Sequence, residues 1–295
     1  MAAGALALGG LTGCGDETPQ VRTGALNVVS LGDSLAVGVQ PQLAGSDRET
    51  SQGYPRQLAN TLREQDREVD LWELGCGGAT SGSVISGGLE CAPGRNTPYD
   101  NEDPSTSQLS YAEGLISTLG DAPTVVVLDI GGNDVGSCLR GGAILESCVT
   151  KAGRQLRTNL DTILRRLRAI DPDVPIAVMD LYDPFLGLWK THPEARSTLV
   201  RIHAVFLRDV NQVIARVAAR RGALVAKVGT AMRQDTAFTA AQTTLPPAVD
   251  AVCKETWMCV EAPLVPNIHL RRSGYGLAAE ELLRVLTPSL GEMGR

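Results

Sequence analysis

The feature that most constrains the fold is a pair of short, nearly unbroken apolar runs separated by an amphipathic stretch. Residues 124–130 read Thr-Val-Val-Val-Leu-Asp-Ile, and residues 175–181 read Pro-Ile-Ala-Val-Met-Asp-Leu. β-branched runs of this length, without polar alternation, are strands covered on both faces. Between them Leu156, Leu160, Ile163, Leu164 and Leu167 recur at helical spacing, so residues 149–170 form a helix, which Asp171-Pro172 stops. Further strands are expected near 26–31, 69–74 (Val-Asp-Leu-Trp-Glu-Leu) and 223–228. Further helices fall near 53–66, 107–119, 194–221 and 273–286. The 194–221 segment carries Leu199, Ile202, Val205, Phe206, Val210, Val213, Ile214 and Val217 as one apolar stripe. Strands alternating with helices call for an α/β fold, a parallel sheet with helices on both faces. No internal repeat and no domain boundary break the alternation.

Three connections are long: 75–106, 131–148 and 229–272. Each follows a predicted strand, and connections of that length in a compact domain are usually functional. With 43% hydrophobic and 20% charged residues, the chain can bury a sizeable core. A net charge of −6 and the lack of a basic stripe argue against a nucleic-acid partner. Arg165-Arg166-Leu167-Arg168 and Arg220-Arg221 sit late in predicted helices, where they complement the helix dipole.

Residues 1–13 carry no charge, and a polar stretch follows Cys14 up to Gly24. Leu11-Thr12-Gly13-Cys14 resembles the cleavage box of a bacterial lipoprotein signal peptide. That resemblance implies cleavage before Cys14 and lipidation of its sulfur, although no basic n-region precedes the box. The run is too short to span a bilayer, so any membrane contact is expected only through a lipid anchor at Cys14. The six remaining cysteines allow fifteen pairings. Sequence neighbours give Cys76–Cys91, Cys138–Cys148 and Cys253–Cys259, each pair within a segment read as loop. An even count behind a signal-like start fits an oxidising, extracytoplasmic compartment. Three scattered histidines and no Cys-x-x-Cys pair suggest no zinc site, and neither metal nor cofactor is expected.

The chemistry-bearing residues cluster just beyond the strands. Gly32-Asp33-Ser34-Leu35 follows the first, Gly75-Cys76-Gly77-Gly78-Ala79-Thr80 the second, and Gly131-Gly132-Asn133-Asp134 the third. Near the end come Asn267-Ile268-His269 and then Ser273-Gly274-Tyr275, which opens the last helix. Acyl transfer needs a nucleophile, a base and donors for an oxyanion. Ser34, His269, a glycine N–H and the Asn133 amide supply these types. Each also has a plainer reading: Asp33 and Ser34 as caps, Gly78 as a turn glycine, Asn133 and Asp134 as turn formers, His269 as a loop histidine. His192 and His203 read as structural, and Asp180 and Asp183 as turn or capping groups.

Taken together and in this order, the blocks resemble those of the SGNH hydrolases of the GDSL esterase/lipase family, over roughly residues 26–287. The resemblance implies a three-layer α/β/α sandwich with five parallel strands in the flavodoxin-like order 2-1-3-4-5. It implies that Ser34 is the nucleophile, that His269 is the base, and that Ser34 N–H, Gly78 N–H and the Asn133 side chain form the oxyanion hole. Two positions depart from the family pattern. Glu73 stands where the family has Asn, and Pro266 stands where it has the triad Asp. The backbone carbonyl of Pro266 is expected to orient His269, with the Asn267 side chain as its rival. The domains expected are a signal peptide at 1–13, a flexible linker at 14–24 and a hydrolase domain at 25–290, acting as a monomer. Two functions follow: a serine hydrolase of carboxylic esters, or, because the triad Asp is missing, a non-catalytic ligand-binding lipoprotein on the same scaffold. The substrate is left open between lipid, glycan and small-molecule esters. Phe185-Leu186-Gly187-Leu188-Trp189 either walls an acyl pocket or packs under the long C-terminal connection.

Overall fold

The computed structural model describes residues 22, 24–43, 45–89, 106–140 and 143–293. One sheet holds β1 (Leu26–Leu31), β2 (Val69–Glu73), β3 (Thr124–Leu128), β4 (Ile176–Met179) and β5 (Leu224–Ala226). Its order is β2-β1-β3-β4-β5, and every pairing is parallel, as the resemblance implied.

Successive residues of a strand point to opposite faces, and the two cores follow that rule. Val29, Leu31, Val126, Leu128, Ile176 and Val178 pack on one side with α3 (Gln108–Leu119), α5 (Glu146–Ile170) and α7 (Gln212–Arg220). Val28, Val125, Val127, Ala177 and Met179 pack on the other with α1 (Tyr54–Glu64) and α10 (Arg272–Glu292). The result is a three-layer α/β/α sandwich. Local signals set the ends of these helices. Ser107 Oγ caps α3 by accepting from Ser110 N at 3.1 Å. Beyond α5, Asp171 Oδ1 accepts from the backbone of Asp173 and Val174 and turns the chain toward β4.

The long connections hold more structure than their composition indicates. They contain α2 (Ser81–Ser86), α4 (Gly132–Gly136), α8 (Val228–Ala231), α9 (Pro247–Glu255) and β6 (Asn267–Leu270), which pairs with Thr256–Trp257. Cys148 therefore lies in the first turn of α5 and Cys253 in α9, rather than in loops. The single helix expected over 194–221 is instead α6 (Arg196–Phe206), a π-turn (Leu207–Asn211) and α7. The apolar stripe runs straight through the turn, so periodicity does not reveal it. The cause is lateral: Asn211 Oδ1 accepts from Leu181 N at 3.0 Å and its Nδ2 donates to Leu181 O at 2.7 Å. Where α5 crosses the turn, a Cβ on Gly153 would lie 2.4 Å from Asp209 O.

Two of the expected disulfides are present, Cys138–Cys148 and Cys253–Cys259. The expected Cys76–Cys91 bridge involves Cys91, which lies outside the described residues, as do Cys14 and the signal-like segment 1–13. A third apolar cluster lies under the C-terminal connection. It joins Leu186 and Trp189 to Leu199, Val249, Val252 and Met258.

Candidate active site

In a parallel sheet that winds both ways from β1, the crevice opens beyond the carboxyl ends of β1 and β3. These ends are adjacent, with Leu31 opposite Leu128. Ser34 and Asn133 both lie just past them and line one cavity together with His269.

The turn carrying Ser34 is held from beneath. Gly32 has φ +149°, and a Cβ there would lie 2.0 Å from Asp129 Oδ1, so only glycine fits. Gln108, at the start of α3, grips its backbone on both sides: Oε1 accepts from Gly32 N and Nε2 donates to Gly32 O, each at 2.9 Å. Asp33 Oδ1 accepts from Leu35 N at 3.0 Å and from the half-buried Ser34 hydroxyl at 3.4 Å. Below it Asp129 is fully buried and accepts from Tyr54 Oη at 2.7 Å. Burial pushes both carboxyls up, Asp129 well above the usual range. Burial likewise pushes the Tyr54 hydroxyl well up and keeps it a donor.

His269 stands in β6 with its side chain buried. Its Nδ1 lies 2.7 Å from Asn267 Oδ1, the same oxygen that accepts from His269 N at 2.9 Å. The expected Pro266 carbonyl is thus not the partner; the Asn267 side chain is. The reason is strand parity. Residues two apart in a strand share a face, so the Asn267 side chain reaches the ring and already occupies Nδ1. Asn267 Nδ2 donates to Asp47 Oδ1 at 2.8 Å, which leaves the amide one orientation. That orientation fixes the proton on Nδ1 and leaves Nε2 as the acceptor. Burial pushes the imidazole's pKa below the usual value, and the charge of Asp47 opposes this. The ring is therefore neutral and basic at neutral pH.

Asn133 Nδ2 donates to Ala79 O at 2.9 Å and to Asp33 Oδ2 at 3.3 Å. Gly78, with φ +80°, is exposed and occupies the third position of a turn closed by Ala79 N to Cys76 O at 3.1 Å. That position in a type II turn demands glycine. Gly78 borders the site but does not line the cavity. Asp134 joins the two loops: Oδ2 accepts from Ser81 N at 2.8 Å, and Ser81 Oγ in turn accepts from Asn159 Nδ2 at 2.9 Å. Glu73, at the family's Asn position, accepts from Arg56 Nε at 3.1 Å. Gly274 has a packing reason, since a Cβ there would lie 2.3 Å from Glu255 O at the end of α9.

The rest of the cavity is apolar, walled by Leu35, Val135, Leu181, Tyr182, Pro184, Phe185, Phe206 and Ile268. The Phe185–Trp189 run thus does both: Phe185 lines the cavity and packs against the third cluster, in which Leu186 and Trp189 are buried. His192 is exposed beside Glu194, and His203 is buried against Asp183, as structural residues. Asp180 Oδ1 caps α8 through Gly229 N at 2.9 Å, and Asp183 Oδ1 accepts from Phe185 N at 3.0 Å. Burial pushes Asp180 up to about 6. Among the described residues, no group of three His, Cys, Asp or Glu side chains is placed to hold a metal ion. Gln108, Tyr54, Asp129 and Asp47 have no motif that marks them in the sequence.

Comparison with solved structures places this architecture among lipases. The chain is similar to an extracellular lipase from Streptomyces rimosus, with TM-score 0.54 and 19% identity over 88% of this chain and 100% of that one. Phospholipase A1 from Streptomyces albidoflavus NA297 matches with TM-score 0.53 and 20% identity over 88% and 99%. The lipase Lip_vut3 from a goat rumen metagenome matches with TM-score 0.52 and 16% identity over 88% and 97%. No curated protein sequence matches the chain. A family model matches residues 30–277, which contain all four sequence blocks and every residue described around the cavity. The chain therefore belongs to the GDSL-like lipase/acylhydrolase family and is a carboxylic ester hydrolase.

Proposed function

We propose that the protein is an extracytoplasmic serine esterase that works through an acyl-enzyme on Ser34. Ser34 Oγ attacks the acyl carbon as its proton passes to His269 Nε2. The tetrahedral oxyanion takes hydrogen bonds from Ser34 N–H, Gly78 N–H and the Asn133 amide. Of the two Asn133 bonds, the one to Ala79 fixes the amide plane. The longer one to Asp33 is the N–H that turns to the oxyanion. The intermediate collapses, and His269 gives its proton to the leaving alcohol. Water, activated by the same nitrogen, then releases the acid and returns the proton to Ser34.

The observation that carries this reading is the lock on His269. Asn267 holds Nδ1 and leaves Nε2 free in a cavity that also contains Ser34 and Asn133. A non-catalytic reading rests on a missing third group, and Asn267 supplies an acceptor in its place. The apolar walls suit the hydrocarbon part of an acyl group. Location outside the cytoplasm is supported by the two disulfides and by Leu11-Thr12-Gly13-Cys14, with lipidation at Cys14 or secretion after cleavage. Among the described residues no helix is long and apolar enough to cross a membrane. A fluorophosphonate probe tests the mechanism. It should label wild type at Ser34 and fail on Ser34→Ala. Both Ser34→Ala and His269→Ala should lose turnover of an aryl ester. An unlabelled, folded wild type would sink the esterase reading.

A further inference from the structure

A neutral amide orients His269 where the family has an aspartate. By itself an amide offers no counter-charge to the imidazolium that forms during attack. One step further on, the structure places a carboxylate. Asn267 Nδ2 donates to Asp47 Oδ1 at 2.8 Å, and Asp47 Oδ2 lies 3.7 Å from His269 Nδ1. Resting on the esterase reading above, we propose that Asp47 is the acid of this active site, a positioning residue that acts on His269 through Asn267.

Asp47 comes from a part of the chain where no triad acid is expected. It lies in a small hairpin after the Ser34 turn, in which Gln40–Pro41 pairs with Asp47–Arg48. The hairpin is tied to the strand carrying the histidine. Buried Gln40 donates from Nε2 to Leu270 O at 2.7 Å and accepts at Oε1 from Trp257 Nε1 at 2.9 Å. Tyr275 Oη donates to Val39 O at 2.9 Å from the first turn of α10. These bonds hold the hairpin next to β6, one residue from His269. Asp47 is thereby positioned before substrate arrives, which is what an electrostatic contribution to catalysis requires.

The charge has two effects. It fixes the Asn267 amide with nitrogen toward the anion and oxygen toward His269, so the ring keeps its proton on Nδ1. It also attracts the imidazolium directly, and no proton need leave the histidine for Asp47. Asp47 remains 45% exposed, so it stays hydrated at little cost, and solvent weakens its pull. The other titratable groups lining the cavity are Asp33, engaged with Ser34, Leu35 and Asn133, and Tyr182, whose hydroxyl donates to Ile268 O at 2.6 Å. Of the charged groups, Asp47 is the one that pushes the imidazole toward its protonated form.

Asp47→Asn keeps the size and an acceptor oxygen but removes the charge. With a soluble aryl ester, kcat should fall roughly tenfold, the size of a contact at this distance that solvent screens almost fully, with KM nearly unchanged. The acid limb of the kcat/KM profile should move to lower pH, because the imidazolium loses its counter-charge. Asp47→Ser should show the same acid-limb shift, and both variants should keep the wild-type far-UV spectrum. An unchanged kcat and acid limb would overturn the proposal. So would a fall in kcat with the acid limb fixed, since that marks a merely structural residue. A wild type without turnover or probe labelling would fail the esterase reading and this proposal with it. A turning-over wild type matched by Asp47→Asn would sink only the proposal.

Discussion

Removing His203 should cost the fold several kcal/mol, and the cost should depend on pH. The ring lies on α6 with both nitrogens facing acceptors: Nδ1 is 3.2 Å from Asp183 Oδ2 and Nε2 is 2.8 Å from Gln234 O. A neutral imidazole has one N–H and satisfies only one of them. The arrangement therefore calls for an imidazolium paired with a carboxylate, and both side chains are buried. Burial pushes the imidazole's pKa down, but Asp183 and the Gln234 carbonyl push it up by more, so it ends above its ordinary 6.5. In His203→Leu, Asp183 keeps the Phe185 N–H and loses its counter-charge. Breaking a buried pair from one side costs about 3–5 kcal/mol, out of a total stability of roughly 5–15 kcal/mol. Because the folded state binds the proton more tightly than the unfolded chain, the stabilisation is complete below pH 6.5. It fades as pH rises through the raised folded value. Urea melts followed by tryptophan fluorescence should show a wild-type minus variant difference of about 3–5 kcal/mol at about pH 5, shrinking by about pH 9. A difference under about 1 kcal/mol, or one equal at both pH values, would refute the buried ion pair.

Asn133→Ala should lower transition-state stabilisation by roughly 3 kcal/mol, read as a fall of at least about a hundredfold in kcat/KM; wild-type turnover would remove Asn133 from the oxyanion hole. Gly32→Ala should destabilise by about 3 kcal/mol or more, because the new methyl meets Asp129 at both its side-chain and backbone oxygens; a melting temperature equal to wild type would contradict the close approach. Mild reduction should lower activity before the far-UV signal falls. The bridges, of separation 10 and 6, tie the segments next to Asn133 and under Phe185, and each is worth on the order of 3 kcal/mol. Parallel loss of both signals would show that they hold the whole domain instead.

What was legible in the sequence follows from how each feature is encoded. A strand covered on both faces needs apolar residues at every position, so β1, β3 and β4 declare themselves, and their alternation with helices implies the sheet. Ser34 and Asn133 stand in short blocks, because a turn leaving a strand must place them within a few residues, and His269 stands in a short block of its own before the last helix. The supports beneath them are encoded by distance in space alone. Gln108 is 76 residues from the Gly32 it grips, and Tyr54 is 75 from Asp129. No local period reports such partners. The short elements α2 and α4 escape for a related reason. Five or six residues give no amphipathic stripe, and the one local signal, the Thr80–Ser83 capping box that opens α2, lies inside a glycine-rich turn; Asp134 then ties the two elements together through Ser81 N. The partner of His269 is different, since a local period encodes it. Counting back three residues to the family's acid lands on Pro266, a position of the wrong parity once the segment is a strand. Residues 267–270 are extended, and the period of two puts Asn267, the residue two before the histidine, on the same face. No local period reports the proposed acid, Asp47. Its place is fixed by a hairpin pinned through Gln40 to Leu270, 230 residues apart. With the acid supplied from the nucleophile's side of the chain, the segment before His269 needs only an amide of the right parity to connect the two.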